Sequence, residues 1–154
     1  METYDKQKAA RVWQRVQNAA PEDPARGLIN MIAEEWADAV MYLALSQRVQ
    51  GGVSSALKKM GQEEQAHMAC LKGMYTMLGT GRPEIPAPKS PERVPVGVLL
   101  RRCYGREMRS LAQYEARASD PEYGQIFARM AQQEREHCRR ILEILGNLKS
   151  DSLG

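Results

Sequence analysis

The chain holds two histidines, His67 and His137, and each stands three residues after a glutamate, Glu64 and Glu134. Each of these pairs follows a glutamate placed seven residues before a tyrosine, Glu35 with Tyr42 and Glu107 with Tyr114. On an α-helix, residues three and seven apart share a face, so every motif aims its polar groups in one direction. Four carboxylates and two imidazoles converging within a helical bundle make up the ligand set of a di-iron or di-manganese carboxylate site. Uncompensated burial of four ionised carboxylates would cost many kcal/mol or force them to take up protons, whereas two divalent cations neutralise them. Carboxylate and imidazole donors suit iron and manganese, with zinc or cobalt as substitutes. A polar core of Glu–His hydrogen bonds is the competing reading.

The ligand set is written twice. Met60, Gln62, Glu64 and His67 recur as Met130, Gln132, Glu134 and His137 at a constant offset of 70, and Glu35 and Tyr42 recur as Glu107 and Tyr114 at an offset of 72. With 14 Glu in 154 residues, the chance that both histidines carry a glutamate three positions upstream is about 1 in 100. Two copies of a helical hairpin, differing by two residues in length, account for the pattern.

Few aromatics and many Ala, Leu and Met residues suit helix packing, so the expected class is all-α, a single domain over residues 1–154. Five helical segments are predicted. Residues 4–19, with Val12, Trp13 and Val16 apolar, form a short accessory helix within 1–22, closed by Pro21 and Pro24. The four-helix bundle occupies residues 23–150. Its segments are 24–50, with the stripe Leu28, Ile32, Glu35, Ala39, Tyr42 and Leu45, and 53–78, with Leu57, Met60, Glu64, His67, Leu71 and Met74. The others are 96–119, with Leu100, Cys103, Glu107, Leu111 and Tyr114, and 122–148, with Phe127, Met130, Glu134, His137 and Ile141. Each proposed ligand occupies an apolar-face position, while Glu34, Glu63, Glu115 and Glu136 fall about 100° or more off that line and read as solvated surface charges.

Residues 79–95 carry five prolines in seventeen residues and cannot be helical. In an extended form at ~3.1 Å per residue they span roughly 50 Å, enough to run the length of a bundle. Each half alone has two helices and three of the six ligands, so the segment reads as a long crossover within one bundle, giving up-down-down-up topology.

The formal charge of +3 and the absence of a basic block argue against nucleic acid or an anionic membrane as partner. The N-terminal residues lack an apolar core of signal-peptide length and no run is long enough to span a bilayer, so a cytoplasmic location is expected. Cys70, Cys103 and Cys138 are odd in number and include no C-x-x-C, which excludes a thiolate-bound zinc or iron centre within this chain and favours buried reduced thiols. Cys103 shares the face of Glu107, four residues on, and is a candidate neighbour of the ligands.

With Glu35, Glu64, His67, Glu107, Glu134 and His137 in place over residues 24–148, the chain resembles the rubrerythrin-like branch of the ferritin-like superfamily. The resemblance implies that Glu64 and Glu134 bridge two metal ions, that Glu35 and Glu107 are terminal ligands, and that His67 and His137 cap one metal each. It also implies that Tyr42 and Tyr114 orient ligand carboxylates, amphipathic core tyrosines being the plainer alternative. Two features depart from the family. Where rubrerythrins commonly carry a further glutamate three residues after the third helix's ligand, this chain has Ser110; the symmetry-related position is Asp38, either a seventh carboxylate or an ordinary packing residue. The rubredoxin domain of many rubrerythrins is missing, so electrons must come from a separate donor protein.

The function this implies is reduction of hydrogen peroxide at a non-haem di-iron centre, with Tyr42, Tyr114 and Asp38 assisting. A ferroxidase or iron-handling protein that oxidises Fe(II) with dioxygen or peroxide is the second reading, and a non-enzymatic metal-stabilised interaction bundle the third. A homodimer is expected. The tail from Gly146 to Gly154 is polar enough to be flexible and to dock on a partner.

Overall fold

A computed structural model describes residues 23–79 and 81–148. The predicted accessory helix at 4–19 and the end of the C-terminal tail lie outside the described residues. Four α-helices and no strand are found among those described: α1 (Pro24–Ser46), α2 (Gly51–Met77), α3 (Val96–Ala116) and α4 (Gly124–Asn147). None is long and apolar enough to cross a membrane.

Helix α1 starts where the sequence supplies a stop and a cap together. The Asp23 carboxylate accepts from the Ala25 N–H at 3.2 Å, and Pro24 takes the first helical position, where its missing N–H costs nothing. The helix closes at Ser46, four residues before the predicted boundary, because the Gln47 and Arg48 N–H groups turn back to the carbonyls of Ala44 and Leu45. Gly51 then opens α2 with φ +63°, a conformation that glycine adopts without strain. Helix α3 likewise ends at Ala116. Beyond it Asp120 accepts from the N–H groups of Glu122 and Tyr123, and α4 starts at Gly124.

Gly124 is required by space. A Cβ built there would lie 2.4 Å from the Ala118 carbonyl oxygen, a backbone atom that cannot yield without opening the turn between α3 and α4. Gly124→Ala should therefore destabilise the protein by about 1–3 kcal/mol, the usual cost of overpacking, as read from the midpoint of urea unfolding; an unchanged midpoint would show that the turn adjusts freely.

Within each hairpin, α1 packs along α2 and α3 along α4; between hairpins the approaches are fewer, α1 to α3 and α2 to α4. The apolar faces form two clusters. The first joins Leu28, Met31 and Ile32 with Leu71, Met74, Leu111, Tyr114, Phe127 and Met130. The second joins Tyr42 and Leu45 with Leu57, Met60, Leu99, Leu100, Cys103, Ile141 and Ile144. Helices α1 and α4 thus run from the first cluster to the second, and α2 and α3 run the opposite way. Every helix crosses from one cluster to the other through its glutamates. The site is a polar layer between two apolar ones.

Residues 78–79 leave α2 beside the first cluster, and residues 81–95 lead into α3 beside the second. Residues 81–95 are not helical. Ile85 packs against the first cluster and Val94 against the second, where the Arg48 guanidinium donates to the Val94 carbonyl at 2.8 Å.

Candidate metal centre

All six predicted ligands meet in the polar layer. Glu35, Glu64, Glu107, Glu134 and His137 are fully buried and His67 nearly so. Their ligand atoms form two overlapping groups, Glu35, Glu64, His67 and Glu134 in one and Glu64, Glu107, Glu134 and His137 in the other; within each group the atoms lie within 4.8 Å of one another. Glu64 and Glu134 belong to both. The arrangement is two metal-sized positions sharing a pair of carboxylates.

The histidines present Nδ1 to this layer. His67 Nδ1 lies 3.1 Å from Glu134 and 3.4 Å from both Glu35 and Glu64. His137 Nδ1 lies 3.1 Å from Glu64, 3.4 Å from Glu107 and 3.6 Å from Glu134. Despite this proximity, both Nδ1 atoms, both oxygens of Glu64 and of Glu134, and one oxygen each of Glu35 and Glu107 lack a hydrogen-bond partner. A buried polar atom left unpaired costs about 1–3 kcal/mol, and here the unpaired atoms face one another as donors do around a common centre. The donor set therefore fits metal ions of the carboxylate-and-imidazole class.

The electrostatics point the same way. Burial, then repulsion from neighbouring glutamates, pushes the carboxyls of Glu64 and Glu134 well above the ordinary range. Burial would also raise Glu107, but the nearby His137 and Glu134 groups and the Tyr42 hydroxyl outweigh it and hold the carboxyl below its usual value. Burial alone would depress the imidazoles, yet carboxylate contacts win: Glu134, Glu35 and Glu64 raise His67, and Glu107 with Glu63 raises His137 to about 10. Without cations, this interior retains protons.

The two predicted tyrosines each reach across to the other hairpin. The Tyr42 hydroxyl donates to Glu107 Oε1 at 2.6 Å, and the Tyr114 hydroxyl donates to Glu35 Oε1. Both rings are buried, and each packs edge-on to a histidine. One oxygen of each terminal carboxylate is thereby fixed, which is how metal sites orient their ligands.

Asp38 is buried on the α1–α3 side but belongs to neither ligand group. Its Oδ1 accepts from Arg106 Nε at 2.6 Å, Oδ2 has no partner, and burial raises the carboxyl to about 8 in spite of the guanidinium. Ser110, the counterpart of Asp38 in the second hairpin, is buried too. Cys103 lies beside Tyr42, its thiol pushed up to about 12 by burial and by Asp38 and Glu107.

Three readings of the flanking residues need correction. Glu115 is exposed and Glu136 partly so, and they pair with Arg135 and Arg139 as surface charges. Glu63 is not a solvated charge of that kind: it is only 24% exposed, and its Oε2 stands 3.7 Å from His137 Nε2. Glu34 is half-buried, its backbone carbonyl accepting from Arg106. Cys70 is exposed, whereas Cys103 and Cys138 are buried, and all three are free thiols. Gln133, overlooked in the sequence, accepts from His67 Nε2. Its signal was available, since Gln133 occupies the position equivalent to Glu63 at the offset of 70.

No family model, curated protein or solved structure matches this chain.

Proposed function

We propose that this chain is a rubrerythrin-like di-iron carboxylate protein of the ferritin-like superfamily that reduces hydrogen peroxide. One observation carries the reading above all: two overlapping groups of buried, mutually unpaired Glu and His donors share Glu64 and Glu134. The helix directions, reversed between α1 and α3, with residues 78–79 leaving one cluster and residues 81–95 reaching the other, support up-down-down-up topology and a long crossover. On this reading residues 23–150 form one ferritin-like domain.

Glu64 and Glu134 would bridge two iron ions. Glu35 with His67 would complete one position and Glu107 with His137 the other. An iron pair held by these residues in its reduced state would supply the two electrons that, with two protons, convert one hydrogen peroxide to two waters. The residues do the rest. Tyr42 and Tyr114 each pin one oxygen of a terminal carboxylate and leave the second oxygen free to turn. Asp38, paired with Arg106 through one oxygen and partnerless at the other, has its carboxyl pushed up to about 8 by burial and so can exchange a proton near neutral pH at the edge of the layer. The apolar clusters on either side keep bulk water from the ligands. A separate electron-donor protein would return the electrons, and a homodimer is the proposed assembly. Manganese or zinc would occupy the same donors without the redox step.

The test is anaerobic Fe(II) loading followed by stopped-flow mixing with hydrogen peroxide and, separately, with dioxygen. Two irons per chain and faster oxidation by peroxide are expected. Faster oxidation by dioxygen would make the protein a ferroxidase, and fewer than two irons per chain would remove both readings.

A further inference from the structure

The two halves of the centre match in their glutamates, histidines and tyrosines but differ behind the histidines and at Asp38, whose counterpart is Ser110. Each tyrosine donates to the opposite terminal glutamate, and each Nδ1 faces the shared pair. The residue before each shared glutamate lies on the flank facing the other hairpin's histidine, but it is Gln133 before Glu134 and Glu63 before Glu64. His67 Nε2–H donates to the neutral amide oxygen of Gln133. His137 Nε2, fully buried and without a hydrogen-bond partner, faces the Glu63 carboxylate at 3.7 Å, longer than a hydrogen bond but close enough for the charge to act on the ring.

We infer that Glu63 makes the two metal positions unequal, so that the ion held by Glu64, Glu107, Glu134 and His137 binds first and more tightly than the ion held by Glu35, Glu64, His67 and Glu134. This rests on the metal reading above. A carboxylate behind the outer N–H of an imidazole draws on that proton and makes the inner nitrogen a stronger donor, whereas an amide does so less. It also places one more negative charge on the His137 side. Lys59 and Arg140 lie near Glu63 and reduce that charge at a distance, but neither faces the ring as the carboxylate does. The other asymmetric feature, Asp38, is paired with the Arg106 guanidinium and acts on Glu107 more than on Glu35, so the exchange of Glu63 and Gln133 is what separates its contribution from that of Glu63.

Repulsion between two cations separates two binding steps even in a symmetric site, so the discriminating quantity is which histidine is ligated when one ion is bound. The chain's two histidines give two sets of ring signals. Tag-free protein labelled with ¹⁵N-histidine, its signals told apart with His67→Gln, is titrated with Zn(II) and followed by NMR. At one equivalent, His137 Nδ1 should move to its bound position while His67 stays largely free. Glu63→Gln should lower the affinity of the first step by about tenfold, as loss of such an outer partner does, and even out the two histidines. The double variant Glu63→Gln with Gln133→Glu should reverse their order. Equal ligation of both histidines at one equivalent in the wild type, or an unchanged order in the double variant, would overturn the inference while two Zn(II) per chain still bind. Fewer than two Zn(II) with neither Nδ1 shifting would instead overturn the metal reading, and this inference with it.

Discussion

Metal-free protein should lose stability steadily between about pH 5 and pH 10, and saturating Mn(II) should reverse the trend. The sign follows from the groups in the polar layer. Glu64 and Glu134 have carboxyls raised above 4.5, so their contribution is fully present below that value and is lost as the pH climbs through the folded one. His67 and His137 are raised above 6.5, so theirs is present below 6.5 and lost on the way up, for His137 through about 10. Glu107 acts oppositely, giving stability above 4.5 that is lost as the pH falls. The metal-free optimum therefore lies near the ordinary carboxylate range, at about pH 4–5. Cations must displace the same protons, so their affinity rises with pH, and each site held at 100 times its dissociation constant adds about 2.7 kcal/mol. Two such sites correspond to a Tm increase of about 10 °C or more for a chain of this size. Melts at pH 5.5, 7 and 8.5, with and without Mn(II), should show a gap that widens with pH. A gap of constant width, or none, would mean that the acids are not competing with protons for the ion.

Removing a shared glutamate should give a metal-free protein that is more stable and a loaded protein that is less so. In Glu64→Gln or Glu134→Gln the amide keeps the shape but ends the need to hold a proton in the interior. A carboxyl raised this far costs about 1.4 kcal/mol for each pH unit above its unfolded value until its folded pKa is reached. Each variant should thus be more stable than the wild type at pH 8 without metal, by a margin that widens as the pH rises, with the pH slope reduced by about one proton. Because both positions use both residues, metal content should fall from two ions per chain to one or fewer. Glu115→Gln, an exposed partner of Arg135, serves as the control and should stay within about 0.5 kcal/mol with both ions retained. A variant of Glu64 that melts earlier than the wild type without metal would show that its carboxylate is satisfied by the histidines.

The six buried donors and the helices that carry them were legible because both signals are local. A helical period needs only neighbours in sequence, and a glutamate inside an apolar stripe stands out against leucine and methionine. What lay out of reach depends on the other hairpin. Glu63 is about 100° from its own helix's stripe and reads as solvent-facing until α4 is set beside α2, when that flank meets His137. Asp38 finds Arg106 across 68 residues, a pairing that no spacing rule announces. The early ends of α1 and α3 have a nearer cause, since three-residue turns close onto the last carbonyls before the glycine or proline that the sequence displays.

The crossed tyrosines also fix an order of events. Their hydroxyl bonds close separations of 65 and 79 residues, whereas the contacts within each hairpin are between helices adjacent in sequence. Short-range contacts form early, and long loops close only when something repays their entropy. A newly made first hairpin therefore carries Glu35, Glu64 and His67 on a face with no lid, half of a coordination sphere waiting for its complement. On the proposed metal reading, docking of the two hairpins and assembly of the centre are one event, since each group of donors draws on both hairpins.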